Sequence, residues 1–364
     1  MKKKNFMTTI ALMGLFTTAF AQITDVYVGG QSTDNKAVVW KNGTPTYLTT
    51  GDGSIYSVVV ADNAVYAAGY EGNWGSRVAK VWKDGEVLFT LSDGTSNACA
   101  FFLAVSNSNV YVAGYDGEEG KVWQNDIIQS DYGNATTVYS IFIDGSDIYT
   151  AGSNSDGNAA VWKNGTVLYA LTLGGGYSCA YSVVISDGDV YTAGYEDIGE
   201  NIYVPKVWKN NDELYMLGTG SYSPDNISIT VSGDVVYVAG ADRIGNIPYA
   251  NIWTNGVASK ISKESWTWVN SIFVKGSDVY AAGTRDGEKA YYWKNSEQFT
   301  LVKGSLANSI FVVSDDESSV KAPTTDHSIV SGYYNLMGIK LSQEPAKGIY
   351  IKVYDNGMAK KVIK

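Results

Sequence analysis

One pattern recurs seven times along the chain. A Val/Ile-Tyr-x-Ala/Gly-Gly segment carries Tyr27, Tyr66, Tyr111, Tyr149, Tyr191, Tyr237 and Tyr280 in turn. After a stretch of variable length each is followed by a tryptophan, at Trp40, Trp82, Trp123, Trp162, Trp208, Trp253 and Trp293. A fixed period of roughly 40 residues excludes an ordinary globular core. Each unit is too small to bury its own apolar face and must pack on its neighbours.

Within a unit the apolar residues come in runs of about five, bounded by Gly, Asn and Asp, which reads as strands joined by hairpins. The second unit shows all four: Ile55 to Val60, Val65 to Gly69, Ala79 to Lys83 and Val87 to Leu91. Asn42-Gly43, Asp84-Gly85, Asn164-Gly165 and Asn255-Gly256 stand at one place in the repeat, and such pairs tolerate the positive φ of a two-residue hairpin turn. The first unit begins at its second strand, whereas Asn308 to Val313 (NSIFVV) matches the first strand of the last unit (Asn270 to Val274, NSIFV). Complementary half-units at the two ends predict a ring closed by the C-terminal strand, leaving no free sheet edge. The expected fold is therefore all-β, a seven-bladed propeller of four-stranded antiparallel blades over residues 22–313.

The apolar first strand, the Tyr-containing second strand ending in small residues, and the later Trp resemble kelch-type propellers over most of residues 23–313. The chain departs from that pattern in having a Gly-Gly doublet only at Gly29-Gly30. The resemblance implies the fold and no activity, because propellers host unrelated functions.

Met1 to Ala21 reads as a signal peptide: Lys2 to Lys4, an apolar stretch from Ile10 to Phe16, and Ala19-Phe20-Ala21 before the cut. The expected location is extracellular or on the outer cell surface, with the periplasm as an alternative. No later segment is apolar enough to span a bilayer. The formal net charge is −10, and −13 without the three leader lysines, which argues against nucleic acid as a partner. Cys99 and Cys179 occupy equivalent places two blades apart. There they should lie on the order of 11 Å from one another, past the roughly 7 Å Cα limit for a disulfide, and are expected to be free.

Residues 314–332 are polar and read as a linker. Beyond it, Tyr334-Asn-Leu-Met-Gly, Lys347-Gly-Ile-Tyr-Ile and the basic end Lys360 to Lys364 resemble the C-terminal end of a type IX secretion sorting domain, so 333–364 is expected to be a β tail of that kind; a short docking hairpin is the alternative.

Chemistry is sparse. His327 is the only histidine and falls in the linker, so a Ser-His-acid triad has no base. Zinc lacks ligands, no phosphate-binding loop is present, and no cofactor is expected. Ser57, Ser140, Ser182, Ser228, Ser271 and Ser309 recur on the first strands, with Phe102 interrupting, and packing at a crowded axis accounts for them first. The irregular residues gather on one face, that of the two-to-three loops and four-to-one connections. They are Trp74, Trp266 and Trp268, the only non-repeat tryptophans; Arg77, Arg243 and Arg285, the only arginines; and Tyr70, Glu71, Tyr115, Asp116, Tyr195 and Glu196. Three functions remain open: a monomeric binding module for a glycan or extracellular protein on this face; a polysaccharide hydrolase or lyase using its carboxylates and tyrosines; and a structural adhesion element. The first is preferred, because no reaction is named by the residues.

Overall fold

The computed structural model describes residues 24–129, 132, 135–173, 176–200, 202–218, 220, 226–244 and 247–314, with parts of 330–363. Residues 1–23, where a leader is expected, and residues 315–329, including His327, lie outside the described residues. The chain forms two compact units, Met1–Asp315 and Asp316–Lys364.

The first unit is the closed ring of seven four-stranded antiparallel blades. Blade one takes its first strand from the far end of the chain. Gly304–Ser314 pairs with Thr24–Ser32, in register from Thr24 opposite Ser314 to Tyr27 opposite Phe311. Ala37–Lys41 and Thr44–Tyr47 complete it. Blade two is Gly53–Ala61, Ala64–Glu71, Val78–Lys83 and Glu86–Thr90. The first strands of blades three to seven are Ala98–Ser106, Ala135–Asp144, Cys179–Ser186, Ser228–Ser232 and Thr267–Lys275.

Seven apolar clusters hold the ring, one at each blade–blade junction; the one holding Trp40 and Tyr280 seals blade seven to blade one. The seven repeat tryptophans are at most 2% exposed. Each removes about 150–250 Å² from water, which is why the repeat has one per unit.

The Trp-Lys-Asn-Gly turn does more than reverse the chain. Asn42 and Gly43 have φ of 50° and 80°, as a type I′ turn requires. The Asn42 side chain then accepts the Val26 N–H at 2.8 Å and donates to Asp25 at 2.7 Å. The turn residues Asp84, Asn125, Asn164, Asn210, Asn255 and Asn295 accept the corresponding N–H in the other six blades. In four blades a lysine closes the clasp on the aspartate: Lys41–Asp25, Lys163–Asp147, Lys209–Asp189 and Lys294–Asp278, at 2.7–2.8 Å.

At the axis, six first strands carry a β-bulge. In blade two the register steps from Ile55 opposite Gly69 to Ser57 opposite Ala68, leaving Tyr56 as the extra residue. Phe101, Tyr139, Tyr181, Asn270 and Asn308 are the extra residues in blades three, four, five, seven and one. The bulge brings a first-strand carbonyl against the last glycine of the second strand. A methyl group on Gly114 would sit 2.0 Å from the Cys99 oxygen. Blade six shows no such step, and a methyl on Gly240 would lie 3.4 Å from its nearest neighbours, the Asn226 oxygen among them.

The recurring first-strand serines do more than pack. Ser309 accepts the Val58 N–H of the next blade at 3.0 Å, and Ser57 accepts that of Leu103 at 3.2 Å. Ser140, Ser182, Ser228 and Ser271 do the same for Val183, Ile229, Ile272 and Ile310. The bonds run one way round the axis and satisfy inner-edge N–H groups that no strand pairs. Phe102 has no oxygen to offer, so the link is missing between blades three and four.

The second unit is a four-stranded antiparallel sheet whose two middle strands are Val330–Tyr334 and Ile349–Tyr354. Tyr350 is buried and donates its hydroxyl to Glu344.

Two stability outcomes follow. Gly114→Ala should cost about 1–3 kcal/mol through the clash at the bulge, while Gly240→Ala should be nearly silent; denaturant titration of both variants checks this. The lysine hydrogen bonds hold Asp25, Asp147, Asp189 and Asp278 below the ordinary carboxylate value of 3.8. A depressed folded-state pKa contributes stability that is complete above the unfolded value and lost as pH falls through the folded one. Melting temperature should therefore drop on acidification below about pH 4. Replacing Lys41, Lys163, Lys209 and Lys294 by Met should flatten that acid limb.

Candidate functional site

The bulges decide what faces the axis. An extra residue in a strand is unpaired and its side chain is re-aimed. Here the extra residues line a central cavity of about 100 Å³, together with Ile227 from blade six. Tyr56, Phe101, Tyr139 and Tyr181 occupy four successive blades. Their rings touch in series, with centroids at 5.2 Å (Tyr56–Phe101), 5.0 Å (Phe101–Tyr139) and 4.7 Å (Tyr139–Tyr181). The other side of the ring is polar. Asn270 donates to the Ala307 carbonyl at 2.9 Å, and Asn308 to the Ile55 carbonyl at 2.8 Å. One half of the channel is an aromatic crescent and the other an amide arc.

On the face of the two-to-three loops the channel widens into a mouth of about 390 Å³, lined by Tyr56, Asn226, Trp268, Asn270, Thr284, Gly287, Leu306 and Asn308. Several residues singled out in the sequence extend this lining. Tyr70 contacts Tyr56 at 6.2 Å, Tyr115 contacts Phe101 at 5.5 Å and Tyr195 contacts Tyr181 at 5.6 Å. Trp266 stands 6.3 Å from Trp268, is 45% exposed, and has φ of 58°. Its N–H is held by the Pro248 carbonyl at 2.8 Å.

Other residues go elsewhere. Tyr70, Glu71, Tyr115, Asp116, Tyr195, Glu196, Arg243 and Arg285 lie on strand ends, and Trp268 lies in the first strand of blade seven, where the sequence had suggested loops and connections. Strands two and three continue beyond their apolar cores, and side chains on a strand alternate in direction. Glu71 pairs with Lys80. Asp116 accepts from Ser96. Glu196 shares Lys206 with Glu213. Arg285 is bound to Glu264 at 3.0 Å and lies 3.5 Å from Asp286. Arg243 lies on the second strand of blade six, its N–H bonded to the Asp242 carboxylate at 2.9 Å. Trp74 is 77% exposed.

Sequence reasoning passed over Tyr56, Phe101, Tyr139, Tyr181, Asn270 and Asn308. The available signal was the residue immediately before each recurring serine, or before Phe102 where that series breaks.

Burial pushes the Tyr56, Tyr139, Tyr181 and Tyr195 hydroxyls above the ordinary tyrosine range. They stay protonated at neutral pH, where a catalytic base would need the opposite shift. Cys99 and Cys179 are buried free thiols. Burial raises both, Cys179 to about 12. Among the described residues no group of three His, Cys, Asp or Glu is placed to hold a metal ion.

No known protein family and no curated protein matches the chain. Among solved structures, the computationally designed Ika8 protein is 16% identical, over 93% of this chain and 93% of its own, with a TM-score of 0.45. The WD40 β-propeller domain of Doa1 is 18% identical over 58% of this chain and 85% of its own, with a TM-score of 0.34. Sqt1 of Chaetomium thermophilum, solved bound to the N-terminus of ribosomal protein L10, is 11% identical over 85% of each chain, with a TM-score of 0.42. Likenesses this remote carry no argument; the propeller architecture rests on the strand pairing itself.

Ultraviolet titration of the folded protein through about pH 10 should leave the crescent phenols un-ionised, and denaturant should release them into the ordinary range. A single ordinary transition for all tyrosines in the folded state would contradict the burial.

Proposed function

We propose that this protein is an exported, monomeric glycan-binding module whose ligand sits over the channel mouth on the loop-rich face. The observation that carries the reading is that two aromatic side chains, Tyr56 and Trp268, and three amides, Asn226, Asn270 and Asn308, line one mouth. Sugar rings present apolar C–H faces and hydroxyl edges. Tyr56 and Trp268 offer flat apolar area at low entropic cost, and the Asn226, Asn270 and Asn308 amides offer donors and acceptors fixed by their own bonds to neighbouring blades. A concave, largely pre-formed site with a few placed polar groups suits a small rigid ligand. The leader at Met1–Ala21 and the tail's resemblance to a sorting domain support export. The kelch-like repeat supplies a scaffold without chemistry of its own.

A glycan array probed with the full chain tests this. Binding should be found, and Trp268→Ala should weaken it by about 1–3 kcal/mol, the size of an interface anchor, with the fold retained. Absence of any glycan ligand, or binding indifferent to both Trp268→Ala and Tyr56→Ala, would overturn it. Capture of a protein ligand at this mouth would replace the glycan with a peptide.

A further inference from the structure

Two of the three arginines differ sharply in their surroundings. Arg285 is neutralised by Glu264 and Asp286. Arg77 has no carboxylate partner among the described residues. Its guanidinium carbon lies 4.0 Å from the Tyr70 ring centroid and 4.8 Å from that of Trp74, and its Nε is buried without a hydrogen bond. It also lies beside the Tyr115 hydroxyl, whose burial-raised pKa it partly offsets. The nearby acids are spoken for: Glu71 by Lys80, and Asp116 by Ser96.

The loop that carries Arg77 is pinned on both sides. Gly72 donates to the Asp52 carbonyl at 2.8 Å, Gly75 to the Asn97 side chain at 3.2 Å, and the Arg77 carbonyl accepts the Ala98 N–H at 3.0 Å. Gly72 and Gly75 have φ of 106° and 94°, which a side chain would strain. A cation stacked on two rings, held by a braced loop and left without an anion in a chain of net charge −10, is a pre-organised place for an anion from outside.

We propose that Arg77, with Tyr70, Trp74 and Tyr115, forms a carboxylate subsite, and that the ligand of the channel mouth is an acidic oligosaccharide bearing a uronate-type carboxylate. This rests on the glycan reading above. Tyr70 links the subsite to the mouth through its contact with Tyr56, so one ligand can place a sugar ring at the crescent and its carboxylate at the guanidinium. Planar, charge-assisted pairing gives Arg77 a discrimination that the neutral amides across the mouth lack.

The test is calorimetry of the full chain with oligosaccharides ending in glucuronate, galacturonate, mannuronate or neuraminate, each beside its carboxyl-reduced counterpart. An acidic member should bind about 10-fold or more tightly than its reduced form, the scale of one charge-assisted hydrogen bond, and the preference should shrink with added salt. Arg77→Gln should abolish the preference, so that acidic and reduced forms bind alike to a protein that still folds; Arg77→Lys should restore only part of it. Equal binding of both forms in the wild type, or a preference that survives Arg77→Gln, overturns the subsite and leaves the glycan reading standing if Trp268→Ala still weakens binding. Failure of every oligosaccharide, acidic or reduced, overturns both.

Discussion

The bulge in the first strand of six of the seven blades is the constraint on which much of the molecule depends. A seven-fold ring brings seven inner edges together at one axis, each with N–H groups that no neighbouring strand can pair. Serine hydroxyls on the first strands accept N–H groups of the next blade, as Ser57 does for Leu103, and in five blades that serine directly follows the inserted residue. The insertion drives a carbonyl onto the second strand, which is why that strand carries a glycine there, at Gly69, Gly114, Gly152, Gly194 and Gly283. It also leaves one residue in each of those six blades with no cross-strand partner, and that residue lines the channel. Closure, the glycine of the repeat and the chemistry of the axis thus share one origin.

This arrangement separates the residues that hold the ring together from those that line its axis. Burial at the seven junctions and the Asn clasps under the turns are repeated in every blade and are tolerant of what stands at the bulge. The bulged position is consequently free to vary, and it does so in a block: aromatic in blades two to five, amide in blades seven and one. The mouth above it is bounded by braced strand ends and short loops, so its side chains are held before any ligand arrives. Pre-organisation of this kind lowers the entropic cost of binding. The buried phenols, kept neutral by their surroundings, suit contact and hydrogen bonding rather than proton transfer.

Much of this was legible in the residues. Trp and Tyr at a fixed period, Asn-Gly turns and complementary half-blades at the two ends dictate a closed seven-bladed ring, because local turn chemistry and apolar alternation act over a few residues. The aromatic and charged face was legible too, since Trp74, Trp266, Trp268 and the three arginines stand outside the repeat. The bulge was not. A run such as Ile55-Tyr-Ser-Val alternates like any strand, and only its pairing with Gly69 and Ala68 shows that Tyr56 is extra. For the same reason the recurring serines read as small packing residues: the N–H groups that donate to them lie one blade away.

By itself, then, the sequence determined the blade count, the closure and the side of the ring that varies, all of which follow from local periodicity and turn geometry. Only the tertiary structure decided which side chains meet. Arg285 is quenched because Glu264 reaches it from the preceding four-to-one connection, whereas Arg77 rests on Tyr70 and Trp74 and makes no ion pair among the described residues. Tyr56, Phe101, Tyr139 and Tyr181, each about a repeat apart in the chain, become one continuous aromatic surface. Contacts of this kind depend on the register between strands and on the angle between blades, and neither is written in the local pattern of any one segment.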